Sequence, residues 1–304
     1  MILLLLILLV KSSQNRIDNN ISKRVIIEVM DFKYFSYNGQ VLPIDQAVIP
    51  LTSKEYTYGF GVYETIRIKN GIPYFLKEHA KRLIESARII ELEHPFSLSF
   101  VENSVLDLIK KIGPMTINLK VLLLGAPIKE KASLYLVCLN PLFPDRKLYK
   151  HGADFITFNY ERVLPNSKSL NMLFSYIAYT KARRLGSYDA LLINRHGFIT
   201  EGTMTNFYCI KDKTIYTPFE KDILLGVTMD AVFMVARKNS YKIIEKNISL
   251  KDVSSYDGAF ITSTSSKIIP VRSIDGKIYN YPEKLKKLMS LFDEFLKNCG
   301  GKMR

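Results

Sequence analysis

Two Asn-Gly pairs constrain the folding of this chain more than any other local feature. Asn38-Gly39 and Asn70-Gly71 each sit between runs rich in aromatic and β-branched residues, "YFSYNGQVL" and "VYETIRIKNGIPYFL". A two-residue turn of that composition joins antiparallel strands, so the N-terminal third is committed to hairpins. A helix is expected next, over "LKEHAKRLIESARIIEL". Its apolar stripe is Leu76, Ala80, Leu83, Ala87 and Ile90, and a polar stripe of His79, Arg82 and Ser86 runs beside it. Residues 101–112 read as a second helix, and "INLKVLLLG" and "ASLYLVCLN" as strands.

The stretch "PLFPDRKLYKHG" has the Pro and charge content of a connection. Beyond it, "NSKSLNMLFSYIAYTKARRLG" predicts a helix opening near Lys168, with Leu170, Leu173, Phe174 and Ile177 on its buried face and Gly186 as its stop. "DALLINRHGFIT" and "TNFYCIKDKTIYT" read as hairpins, "LLGVTMDAVFMVARKN" as a loop entering a helix, and "GAFITSTSSKIIPV" as a strand running into a Ser/Thr-rich loop. The last helix carries Leu285, Leu288, Met289, Phe292, Phe295 and Leu296 on one face. This pattern predicts an α+β protein of two mixed domains, residues 30–145 and 159–304, with a linker over 146–158. Residues 1–29 stand apart. Their apolar run lacks a basic n-region and is too short to span a bilayer. They read as an overlong start with Met30 as the initiator, a weak signal peptide or anchor being the alternative.

The net charge of +14 invites a nucleic-acid partner, but the basic residues are scattered and none of the runs is interleaved with stacking aromatics. Neither a nucleic-acid nor a membrane partner is expected. The three cysteines, Cys138, Cys209 and Cys299, are odd in number and widely spaced, which suits a reducing, cytoplasmic setting. The four histidines show no metal-ligand spacing, so no metal is expected.

Several polar residues admit two readings. Lys168 either snorkels to water or serves chemistry. Val227 and Thr228 open a helix whose first amides favour an anion, or Thr228 serves only as its cap. Arg82 is a surface arginine or the cation for that same anion. The "TSTSS" loop, Thr262 to Ser266, is an anion nest or an ordinary turn. Glu201 is a turn residue or a buried, partnered carboxylate.

In chain order, "YTYGFGVYETIRI", "EHAKRLIESA", "NSKSLN", "GFITEGTMTNF", "LLGVT" and "FITSTSSKIIPV" together resemble the class IV aminotransferases over roughly residues 33–275. These are fold type IV pyridoxal-phosphate enzymes: branched-chain and D-amino acid aminotransferases and 4-amino-4-deoxychorismate lyases. The resemblance implies a smaller N-terminal α/β domain, a larger C-terminal domain with a barrel-like sheet core, and a homodimer. It makes Lys168 the Schiff-base lysine that also carries the proton. It makes Glu201 the partner of the pyridine nitrogen, and Arg82, Val227, Thr228 and Thr264 the holders of the cofactor phosphate.

For substrate, the resemblance assigns Tyr58, Thr65, Arg67 and Ser265. Thr65 stands where branched-chain enzymes carry glycine, and is lyase-like. The Arg-Gly of the D-amino acid and lyase branches is replaced by Leu124-Gly125, and no arginine occupies Leu119. Lys120 either supplies the missing cation or lies at an exposed strand edge. Tyr58, Phe60, Tyr63, Leu122 and Leu124 make the surroundings apolar. The expected activity is therefore transamination between a small or branched aliphatic amino acid and a 2-oxo acid. A lyase releasing pyruvate and a D-amino acid enzyme are the alternatives. A basic binding protein on a degenerate scaffold would have no need to keep Lys168, Glu201, Arg82 and Thr228 together.

Overall fold

The computed structural model describes residues 32–303, apart from residues 50, 51 and 142. The expectations for residues 1–29 and for Met30 lie outside the described residues. Both Asn-Gly turns form as expected. Asn38 and Gly39 take φ of 47° and 81°, and Asn70 and Gly71 take 50° and 78°, the left-handed pairing that matches strand twist. They join β1 (Tyr34–Tyr37) to β2 (Gln40–Pro43), and β3 (Gly61–Lys69) to β4 (Ile72–Pro73). With β5 (Ile117–Leu124) and β6 (Ser133–Leu139) they build an antiparallel sheet of order β2-β1-β6-β5-β3-β4. Helices α1 (Leu76–Ile89) and α2 (Leu98–Ile112) accompany this sheet. The polar stripe of α1 is not solvated: His79 and Ser86 are buried together with Ala80, Leu83 and Ala87.

A second sheet follows from β7 (Ala153–Asn159), β8 (Asp189–Ile193), β9 (Phe198–Gly202), β10 (Asn206–Lys211), β14 (Gly258–Ser263) and β15 (Lys267–Ile274). These six strands close into a barrel in the order β10-β14-β15-β7-β8-β9, the ring being completed where Glu201 of β9 pairs with Asn206 of β10. Strands β11 (Thr214–Thr217) and β12 (Lys242–Glu245) extend it from β10, while β13 (Ile248–Ser249) and β16 (Lys277–Ile278) add to β9 and β15. Alternation assigns the two faces of each strand. Phe207 and Cys209 of β10 join Phe155, Leu191, Ile199 and Ile261 in the cluster that fills the barrel. Tyr208 and Ile210 turn the other way, against α4 (Val227–Lys238) and α5 (Glu283–Asn298). The expected face of α5 is present, with Leu285, Leu288, Phe292 and Leu296 buried.

Two local expectations are corrected. The segment 146–158 is not an irregular connection: it holds a short helix, Arg146–His151, and nearly all of β7, which pairs with β8 and β15. The helix after Lys168 begins only at Leu173, forming α3 (Leu173–Arg184). Lys168 to Leu170 instead lie beside β3: Ser169 bridges Val62, and Leu170 N donates to Gly61 O at 2.8 Å. Those backbone bonds to β3 replace the first turn of a helix. Gly186 does stop α3, with φ 77°.

The face of α3 is also reversed. Leu173, Phe174 and Ile177 are 59%, 50% and 43% exposed, while Ser175, Ala178 and Ala182 are buried. Ala178 and Ala182 pack on Ala190 and Leu192 of β8, where only small side chains permit so close an approach. Ala182→Leu should therefore lower the unfolding free energy by about 1–3 kcal/mol through overpacking. Urea denaturation checks this, and an unchanged midpoint would mean that this face is not the packed one.

Candidate active site

A cleft lies among β3, α1, the Lys168 segment, the β9–β10 closure, the start of α4 and the end of β14. Lys168 enters it from a backbone pinned on both sides. Its amide donates to Ser86 Oγ at 3.0 Å and its carbonyl accepts from Tyr63 N at 2.9 Å. Ser167 Oγ donates to Ser86 O at 3.1 Å. The Lys168 amine is open to the cleft and otherwise surrounded by protein, 4.7 Å from the centre of the Tyr63 ring. Burial, followed by the positive charge of Arg82, pulls it down to about 7 from the ordinary lysine range. Lys168 is thus more readily neutral than an ordinary lysine.

The neighbouring carboxylates are each committed to an arginine. Glu201, 4% exposed, accepts from Arg162 Nη1 at 2.9 Å and from the Leu224 amide at 3.1 Å. Arg162 also donates to Ser167 O at 2.6 Å and to Pro165 O at 3.2 Å, tying Glu201 to the Lys168 segment. Glu64, 1% exposed, accepts from Arg82 Nε at 2.6 Å and Arg82 Nη2 at 2.8 Å, with His79 Nδ1 a further 2.8 Å contact. Burial opposes ionisation of Glu64, but Arg82 and His79 outweigh it and hold the carboxyl well below its usual range. Arg82 Nη1 donates to Leu225 O at 2.9 Å, just ahead of α4. The polar stripe of α1 thus has two assigned tasks: His79 and Arg82 hold Glu64, and Ser86 holds Lys168.

The anion cradle is built from backbone. Gly226 is the residue before α4, so Thr228 lies inside the first turn and does not cap it, contrary to one reading of the sequence. The amides of Val227 and Thr228 precede the first intrahelical bond, Asp230 N to Gly226 O, and have no helical acceptor. A Cβ on Gly226 would meet Asn206 Oδ1 at 2.2 Å, so only glycine keeps this approach open. Thr264 faces the same cleft from the β14–β15 turn. These donors, with Arg82, suit a phosphate group.

The residues expected to bind substrate are spread more widely. Thr65 and Lys120 are cross-strand partners on β3 and β5, as are Arg67 and Asn118. Strand β5 is interior, so Lys120 is not an edge lysine. Its Nζ lies 3.4 Å from the centre of the Tyr63 ring, and burial pulls it down to about 8. The Arg67 guanidinium sits 4.7 Å over Phe143. Ser265 Oγ accepts from Asn118 Nδ2 at 3.3 Å. Tyr58 is 83% exposed and does not line the cleft. Sequence reasoning missed Glu64, Arg162 and Asn206. Glu64 had a signal, since strand alternation turns an acid inward between Tyr63 and Thr65; Arg162, in an aperiodic loop, had none.

An amine lowered by burial, a charge-paired carboxylate and a backbone anion cradle share one cleft, an arrangement that suits a phosphate-bearing carbonyl cofactor. The comparisons agree. The family model for amino-transferase class IV matches residues 61–274. A D-alanine aminotransferase of Bacillus licheniformis is 32% identical over 253 residues, 79% of this chain and 88% of its own length. A putative branched-chain-amino-acid aminotransferase of Methanocaldococcus jannaschii is 29% identical over 281 residues, 88% of this chain and 97% of its own. The crystal structure of a Thermoproteus uzoniensis branched-chain aminotransferase with norvaline matches at a TM-score of 0.79 and 24% identity, over 86% of this chain and 94% of that one. The chain belongs to the class IV aminotransferases, a family of pyridoxal-phosphate-dependent transaminases.

Glu64→Gln should cost about 3–5 kcal/mol by leaving Arg82 and His79 facing a neutral group. Because the folded carboxyl titrates below its ordinary 4.5, its stabilisation is complete above that pH and is lost on further acidification. Urea titrations at about pH 7 and about pH 3.5 should find a smaller gap between wild type and variant at the lower pH. A gap independent of pH would remove the charge from this account.

Proposed function

We propose that this transaminase moves the amino group between a small or branched aliphatic amino acid and a 2-oxo acid, with Lys168 as its Schiff-base lysine. The observation that carries this is the Lys168 amine, drawn down to about 7 inside the cleft and flanked by Glu201 and the cradle at Gly226. Pyridoxal phosphate, when bound, supplies the electron sink for the carbanion formed at the substrate α carbon. Val227, Thr228, Thr264 and Arg82 would hold its phosphate, and Glu201, paired with Arg162, would face the ring nitrogen. Lys168 Nζ, close to neutral pH in its titration, takes the α proton and returns it. Tyr63, Leu122 and Leu124, in one buried cluster with Met172 packed against it, favour an apolar side chain.

Relatives named as branched-chain aminotransferases, from Methanocaldococcus jannaschii and Escherichia coli, support that substrate class. The likeness to a D-alanine aminotransferase favours a D-amino acid as the second reading. Thr65 beside Lys120 is the feature that keeps 4-amino-4-deoxychorismate cleavage in the comparison. We further propose a homodimer of two-domain subunits divided as the two sheets are, located in the cytoplasm. The exposed Leu173, Phe174 and Ile177 of α3 suit the former, and the three unpaired cysteines the latter.

Protein loaded with pyridoxal phosphate and mixed with a single amino acid tests the reading. Conversion to the pyridoxamine form with L-leucine, L-isoleucine or L-valine supports it. Conversion with D-alanine alone, or pyruvate release from aminodeoxychorismate alone, replaces it with the corresponding alternative. Lys168→Ala should reduce the conversion rate by roughly 10³-fold or more.

A further inference from the structure

Asp189, at the start of β8, is 2% exposed and has no part in the chemistry above. Its carboxylate lies beneath the loop Thr203–Thr205 that links Glu201 and Gly202 to Asn206. Oδ1 accepts from Thr203 Oγ1 and from the Ala190 amide at 2.8 Å, and Oδ2 accepts from Thr205 Oγ1 at 3.2 Å. The Thr203 amide points to the same group. The fit leaves no slack: a Cβ on Gly202 would lie 2.1 Å from Thr205 Oγ1 and 2.7 Å from Asp189 Oδ2.

On the cleft side of this loop, the backbone of one residue straddles its two ends. The Leu224 amide donates to Glu201 Oε2 at 3.1 Å, and the Leu224 carbonyl accepts from Asn206 Nδ2 at 2.7 Å. Glu201 and Asn206 are also the pair that closes the barrel. Burial pushes the Asp189 carboxyl up to about 6, so keeping it ionised opposes folding at neutral pH, and the four donors around it only partly offset that cost.

We propose that Asp189 is a positioning residue for the transaminase site: by anchoring both threonines of the Thr203–Thr205 loop it fixes Glu201 and Asn206 against Leu224. The inference rests on reading Glu201 as the carboxylate facing the cofactor ring. An asparagine at 189 has one acceptor and a two-proton donor, so it cannot accept from all four groups at once. The loop then relaxes, and Glu201 moves off the position its role requires.

The test compares Asp189→Asn, Thr203→Val, Thr203→Ser and Glu201→Gln, alone and with Asp189→Asn combined with Glu201→Gln. Asp189→Asn should lower kcat on the order of 10–100-fold with KM changed far less, since displacement by about an ångström costs that much. Thr203→Val, which keeps the volume, should lose more than Thr203→Ser, which keeps the hydroxyl. The double variant should be no slower than Glu201→Gln alone, because Asp189 acts through Glu201. In cofactor-free protein, exchange of the Leu224 amide should accelerate in Asp189→Asn by a comparable factor.

Lower thermal stability of Asp189→Asn with kcat and Leu224 exchange unchanged would reduce Asp189 to a structural residue and overturn the proposal. Additive losses in the double variant would overturn it too. If Glu201→Gln alone leaves kcat unchanged, the reading of Glu201 fails first, and that outcome is distinguishable from a failure of Asp189.

Discussion

The site depends on the ion pair between Glu201 and Arg162. Withdrawing both charges from water costs several kcal/mol per ion, which is repaid only when the remaining donors and acceptors are also satisfied. Here they are: the second Glu201 oxygen takes the Leu224 amide, Arg162 Nη1 also donates to the Pro165 carbonyl, and Arg162 Nη2 reaches the Ser167 carbonyl. The same pair therefore connects three pieces of chain with no sequence proximity, namely the barrel closure, the loop before α4 and the segment carrying Lys168. Glu64 and Arg82 repeat this arrangement on the other side of the cleft, joining β3 to α1 and, through Leu225 O, to the approach to α4.

These pairs also set the reactivity of Lys168. Because each carboxylate is neutralised by its own arginine, neither offers Lys168 an ion pair that would hold it protonated. Burial and the nearby cations then outweigh the opposing pull of Glu64, and the amine falls to about 7. A third cation, Lys120, shares the Tyr63 ring with Lys168 and adds to the repulsion. A lysine amine drawn this far towards neutral pH needs such a setting, and the fold supplies it through charges that are themselves spoken for.

Much of this was legible in the chain, and where it was not, the cause is physical. Both Asn-Gly turns, the stop at Gly186, α1 and the buried face of α5 follow from local rules, because φ > 0 and a 3.6-residue stripe are local requirements. The start of α3 was misplaced because Ser169 and Leu170 bond to β3, a partner more than a hundred residues away. Its buried face was inverted because periodicity marks an apolar stripe and cannot say that Ala178 and Ala182 allow a closer approach to β8 than Leu173 and Phe174 would. Lys120 could not be told from an edge lysine until β5 was seen between β3 and β6.

The candidate residues Lys168, Glu201, Arg82, Val227, Thr228 and Thr264 were recognisable because the order of their motifs survives in the chain, and the structure brings all of them to one cleft. By itself the sequence determined the hairpins, the main helices and the family, since turn chemistry, periodicity and motif spacing are properties of neighbours. Only the tertiary structure decided what each charge is paired with. Glu64 with Arg82, Glu201 with Arg162, and Asp189 with two threonines are contacts made across the fold. A buried charge is tolerated only where such distant partners arrive together.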